Sequence, residues 1–219
     1  MNSQVKKMLE NTYIVFCDKF KDNKKAWDSF LEFIVADQKP MLIWQLNHKF
    51  EWLLKDASLI KTLDDMYRPE ILKSDYYDHL GNLYFEKVIK IDKTDKKTPY
   101  LVSDKIVETM GNNSLEKKCK LVNILDPAVG TGRLLMAVYK RCPNGSLFGV
   151  DNDINLIRIA LANFLIHDIP GHLLYADMNR YEIDISKENG KYNWQFANQW
   201  NSQQDKLKPV ETILSSTKY

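Results

Sequence analysis

Two rhythms divide the chain. Up to about residue 115, apolar positions recur at helical spacing. Val5, Met8, Leu9, Thr12, Tyr13 and Phe16 fall on one face of a helix, and Trp27, Phe30, Leu31 and Ile34 repeat the pattern at i, i+3, i+4, i+7. Met41–Leu54 carries a third stripe, with Leu42, Trp44, Leu46, Phe50, Leu53 and Leu54. Pro40 and Pro69 stand where helices can start, since the first turn tolerates a missing N–H. Ser103–Met110 reads as a further short helix, with Ser103 or Asp104 near its N-terminal cap. The aromatic residues of these stripes read as core.

The second half alternates. LVNILD (Leu121–Asp126) is a short apolar run ending at a loop with Pro and Gly, as a buried parallel strand does. Gly132–Arg141 reads as a helix and SLFGVD (Ser146–Asp151) as a second strand. Asp153–His167 is a helix with Ile154, Ile157, Ala160, Leu161 and Leu165 on one side. GHLLYAD (Gly171–Asp177) is a third strand and YNWQFAN (Tyr192–Asn198) a fourth. Strand, helix, strand, helix, strand is the grammar of an α/β doubly wound sheet. The expected organisation is a helical region over 1–115 and a Rossmann-like domain over 116–219.

Composition sets outer limits. The 219 residues are 44% hydrophobic and 27% charged, which suits a globular chain and excludes a mostly disordered one. Cys17, Cys119 and Cys142 are too few and too widely spaced for a disulfide framework. With four histidines and neither HExxH nor CxxC, no protein-held metal is expected. No apolar run is long enough for a bilayer and no signal sequence is evident, so the expected compartment is the cytoplasm. The net charge of +2 does not suggest a large nucleic-acid footprint, and the one basic stretch, Glu86–Lys97, reads as a solvated helix end and loop.

Chemistry concentrates at the strand ends. Three successive strands end in acids: Asp126, Asp151 and Asp177. Ligands of open α/β sheets bind at the carboxyl ends of the strands, so these carboxylates are expected along one edge. The first strand runs into DPAVGTGRLL, Asp126–Leu135. Gly130 and Gly132 permit close ligand approach before a helix whose free N–H groups face the loop. Leu135 stands where a dinucleotide fingerprint has its third glycine, and Asp126 suits a pyrophosphate poorly. An acidic loop suits a cationic ligand, such as the sulfonium and ammonium of S-adenosylmethionine. Asp151, at the tip of the second strand, is placed to bind ribose hydroxyls, and Asp177 to accept from an adenine amine.

DPAVGTGRLL resembles the DPAxGTGxxL signature of N6-adenine DNA methyltransferases, especially modification subunits of type I restriction–modification systems. YYDHLGNLYFEKV (Tyr76–Val88) is similar to that family's D-x-L-G-x-x-Y-E segment, and KTPYLVSDKIVETM (Lys97–Met110) falls where it has F-x-T-P. The resemblance spans roughly residues 70–201. It implies a Rossmann-like S-adenosylmethionine-dependent methyltransferase fold with a partial parallel sheet after a helical N-terminal region. It implies a cofactor site of Asp126, Pro127, Ala128, Gly130 and Gly132 at the methionine end, Asp151 and Asn152 at the ribose, and Asp177 and Met178 at the adenine. DNA, with a specificity or companion subunit, is the implied partner.

The family's catalytic Asn/Asp-Pro-Pro-aromatic motif follows the fourth strand. There an amide and a backbone carbonyl accept hydrogen bonds from both N–H groups of a flipped adenine's amine. This chain has Asn198-Gln199-Trp200-Asn201 at that place. Asn198 keeps the amide and Trp200 could stack on a base, but both prolines are replaced. The expected activity is adenine-N6 methylation of DNA. The alternative is a shortened, catalytically silent relative that keeps the cofactor pocket or only the fold. The length favours the expectation of a chain that stops soon after its catalytic loop. A methyltransferase for RNA, protein or a small molecule is a third reading.

Overall fold

The computed structural model describes residues 2–38, 51–90, 105–106 and 123–175. Two long helices open the chain: α1 (Ser3–Phe20) and α2 (Asn23–Gln38). Asn2 caps α1 by accepting the Gln4 N–H, and Lys21 ends it in the left-handed region. The six residues of the first apolar stripe are the six that α1 buries. Tyr13, Phe16, Trp27 and Phe30 meet edge-on or tilted at centroid distances of 5.5–5.8 Å, which seals α1 on α2. Shorter helices follow: α3 (Glu51–Leu54), α4 (Ala57–Met66), α5 (Pro69–Ser74) and α6 (His79–Leu83). Pro69 occupies the first position of α5, as expected. A single π turn, Tyr84–Val88, continues α6.

The second half forms a parallel sheet in the order β1-β2-β3. Its strands are β1 (Asn123–Asp126), β2 (Ser146–Asp151) and β3 (His172–Tyr175), joined through α7 (Arg133–Arg141) and α8 (Ile154–Ile166). Asp126 lies opposite Gly149 and Asp151 opposite Tyr175, so Asp151 projects two residues beyond Asp126. Leu147 and Leu173 join the core shared with the helices. A methyl on Gly149 would fall 2.7 Å from Val129 and 2.8 Å from Leu173, so only glycine lets the loop after β1 fold over the sheet.

The α8 helix differs from its predicted one-sided pattern. It buries every residue from Ile159 to Ile166, because the sheet lies on one side and α2, α5 and α6 on the other. One continuous core therefore runs from Val5 through Trp27 to Phe164 and Leu173. The helix expected over Met41–Leu54 is seen only as Glu51–Leu54. The rest of that segment, most of Ser103–Met110 and the strand at Tyr192–Asn198 lie outside the described residues. Among the described residues no helix is long and apolar enough to cross a membrane.

Candidate functional site at the carboxyl edge of the sheet

The loop between β1 and α7 is built from its own hydrogen bonds. Asp126 Oδ1 accepts the Ala128 N–H at 3.1 Å, and the Val129 N–H donates 2.8 Å to the Val150 carbonyl. The Gly130 N–H donates 2.8 Å to Asp151 Oδ2, and the Gly132 N–H closes a turn on the Val129 carbonyl at 2.9 Å. Gly130 and Gly132 take φ of 55° and 84°, conformations that a side chain resists. Gly132 then serves as the N-cap of α7. A methyl there would touch Phe164 at 3.0 Å and Ala160 at 3.3 Å, whereas one on Gly130 would meet nothing within 4 Å. The loop thus presses Gly132 into α8 and turns Gly130 toward open space.

Asp151 is shared between two tasks. Its Oδ2 holds Gly130, and its Oδ1 accepts the Asp153 N–H at 2.9 Å, which sets Asp153 as the cap of α8. Each carboxylate oxygen retains a second lone pair for a ligand hydroxyl. Asp126 and Asp151 are each only 9% exposed. Burial raises the Asp126 pKa above the usual carboxylate value, and the Asp151 charge adds to the rise while the Ala128 N–H opposes it. Among the described residues neither carboxylate has a basic partner. Two partly desolvated anions at the strand tips favour a cation between them.

Seven of the expected binding residues therefore share one edge. Asp126 and Asp151 line it, Gly130 and Gly132 shape it, and Pro127, Ala128 and Asn152 are exposed on it. Asp177, Met178, Asn198 and Trp200 lie outside the described residues.

Behind the loop stands a polar cluster that the sequence reading did not single out. Asp78 is fully buried and accepts four hydrogen bonds. Oδ1 receives the Gly81 N–H at 2.7 Å and Asn163 Nδ2 at 2.8 Å. Oδ2 receives the Thr131 hydroxyl at 2.5 Å and Arg133 Nε at 2.9 Å. Asn163 Nδ2 also donates 2.9 Å to the Thr131 carbonyl, and Arg133 Nη2 donates 2.7 Å to Asn82. Gly81 has to be glycine, because a Cβ would fall 2.3 Å from Asp78 Oδ2. One local signal marks the cluster: Asn163 is a lone amide in the apolar run INLIRIALANFLI, and a buried amide needs partners.

The arrangement of parallel strands, a glycine turn and acids at the strand tips is that of a Rossmann-like α/β fold. A solved structure from Listeria monocytogenes, assigned to the class I S-adenosylmethionine-dependent methyltransferases, superposes with a TM-score of 0.54 at 23% identity. The match covers 80% of this chain and 52% of that one, so the chain spans about half the length of that relative. The N-6 DNA methylase family pattern matches residues 75–213, and the chain belongs to that family.

Proposed function

We propose that the carboxyl edge of the sheet binds S-adenosylmethionine and that the chain acts in adenine-N6 methylation of DNA, of the restriction–modification kind, in the cytoplasm. The observation that carries this reading is the pair Asp126 and Asp151, buried beside an open glycine with no basic partner among the described residues. The donor set fits the cofactor. Carboxylates suit its sulfonium and ammonium, and an acid at the tip of β2 suits ribose hydroxyls. When bound, the cofactor supplies an electrophilic methyl group. Asp126, with the turn at Pro127, Ala128 and Gly130 that Gly132 shapes, would hold the methionine end, Asp151 and Asn152 the ribose, and Asp177 and Met178 the adenine. Asn198 would accept a hydrogen bond from the target amine through its amide oxygen, and Trp200 would stack on the flipped base. DNA and a specificity or companion subunit are the proposed partners.

Calorimetric titration with S-adenosylmethionine tests the pocket. Binding that disappears in Asp151→Ala supports it, and no binding by the parent protein refutes it. Labelled cofactor with mixed-sequence DNA tests transfer. Gln199 and Trp200, in place of the family's two prolines, favour a second reading: a binding module without catalysis. Transfer that appears only in the double variant Gln199→Pro, Trp200→Pro selects that reading.

A further inference from the structure

A turn containing two positive-φ glycines has little stiffness of its own, so contacts must fix its shape. Thr131 is the side chain between those glycines, and it is buried rather than turned to the open edge. Its hydroxyl and the Arg133 guanidinium end on one oxygen of Asp78, and its carbonyl is held by Asn163, which also binds Asp78. Both Asn163 Nδ2 partners are acceptors, which fixes the orientation of the amide. Asp78 is itself pinned by the Gly81 N–H, and Tyr76 anchors the same segment by donating 2.7 Å to the Met136 carbonyl on α7. The four hydrogen bonds to Asp78 occupy both of its oxygens, and the carboxylate is closed to solvent, behind the loop rather than on the open edge.

We propose that Asp78 is a positioning residue for the glycine loop. The segment 75–83, which precedes the sheet, sets the loop's shape through Thr131 and Arg133. Affinity at the carboxyl edge therefore depends on a carboxylate outside the Rossmann-like half. Linkage makes the dependence reciprocal: a ligand that needs the ordered loop tightens the docking of segment 75–83 by the same factor. The affinity side of this inference rests on the cofactor reading above; the loop side does not.

The test compares Thr131→Val, which removes the hydroxyl at similar volume, with Thr131→Ser, which keeps it. Hydrogen exchange of residues 130–133 is followed in the free protein, and S-adenosylmethionine binding by calorimetry. A hydrogen bond to a buried charge supports an increase of about tenfold or more in loop exchange for Thr131→Val, with a similar loss of affinity. Thr131→Ser should stay within about threefold of the parent in both. Leu63→Ala, a core truncation in α4, serves as the stability control: it lowers the unfolding midpoint and leaves loop exchange and affinity near the parent's. Unchanged loop exchange in Thr131→Val overturns the proposal, as does an equal loosening by Leu63→Ala. If the parent fails to bind S-adenosylmethionine, the cofactor reading falls, and the exchange comparison still decides the positioning role.

Discussion

Gly130 and Gly132 stand two residues apart in one turn, yet alanine should affect them in different ways. Both have positive φ, 55° and 84°. The left-handed region costs an L-residue about 1–2 kcal/mol. Alanine's smaller unfolded-state entropy returns roughly 0.4–1 kcal/mol. At Gly130 the added methyl meets nothing within 4 Å, so the net loss of stability is about 0–1.5 kcal/mol. At Gly132 it presses on Phe164 at 3.0 Å and Ala160 at 3.3 Å, both in a packed helix. Overpacking of that kind adds about 1–3 kcal/mol, giving a total of about 1–4.5 kcal/mol. Urea unfolding of the two variants checks the order. Binding isolates the milder one. The space around the Gly130 methyl is the space proposed for the cofactor, so Gly130→Ala should keep its fold and weaken S-adenosylmethionine by about tenfold or more. Unfolding of Gly130→Ala as readily as Gly132→Ala, or cofactor binding equal to the parent's, would refute this difference between the two glycines.

Further expectations follow from the buried charges. Gly81→Ala drives a methyl into the Asp78 carboxylate, and breaking a buried charge cluster of this kind costs about 3–5 kcal/mol; an unchanged thermal midpoint would contradict it. Asp126 has a folded-state pKa raised by burial and then by Asp151, so its contribution to stability is present at low pH and is lost as pH rises through that raised value. Asp126→Asn should therefore raise the urea midpoint at about pH 7 by more than at about pH 4, while weakening cofactor binding; a lower midpoint at neutral pH would speak against it. His79 and His167 are both shifted down from 6.5, chiefly by burial, with Asp75 opposing the shift at His79 and the Tyr77 carbonyl opposing it most at His167. Their stability is complete above about pH 6.5 and is lost as pH falls below it, because the unfolded chain takes up protons first. Midpoints at about pH 7.5 and 5.5 should differ in that sense, and replacing both histidines with glutamine should narrow the gap.

Periodicity revealed the helices that face a single partner. The Val5–Phe16 stripe marked the buried side of α1 because α1 has one neighbouring layer to satisfy. For α8 the same arithmetic marked too little. A helix between a sheet and other helices is apolar all round, and no one stripe stands out. The strand ends were legible because each strand is a short apolar run and the acid that ends it is conspicuous, although β1, expected to be buried, has Ile124 and Leu125 only half-buried. Asp126 and Asp151 accordingly sit where expected, with Asp151 carrying the additional work of bracing Gly130 and Asp153. The Asp78 cluster was hidden for a different reason. Its partners come from segments that touch only after folding, and local spacing carries no record of such pairing. The segment DHLGN reads as a motif, but the glycine's purpose, room for a carboxylate, shows only in three dimensions.

The separations along the chain have a consequence for biosynthesis. Asp78 meets Thr131 across 53 positions, Arg133 across 55 and Asn163 across 85. As the polypeptide leaves the ribosome, α1 and α2 can pair at once, since their contacts are near neighbours in sequence. Asp78 emerges with every long-range donor still unmade, and as a solvated anion it opposes collapse of the segment around it. Only when α8 has been synthesised can that charge be buried and the turn at Gly130–Gly132 take its final form. Among the described features the carboxyl edge is thus one of the last to take shape, and a nascent chain stopped short of Asn163 would carry the glycine motif without the contacts that fix its turn.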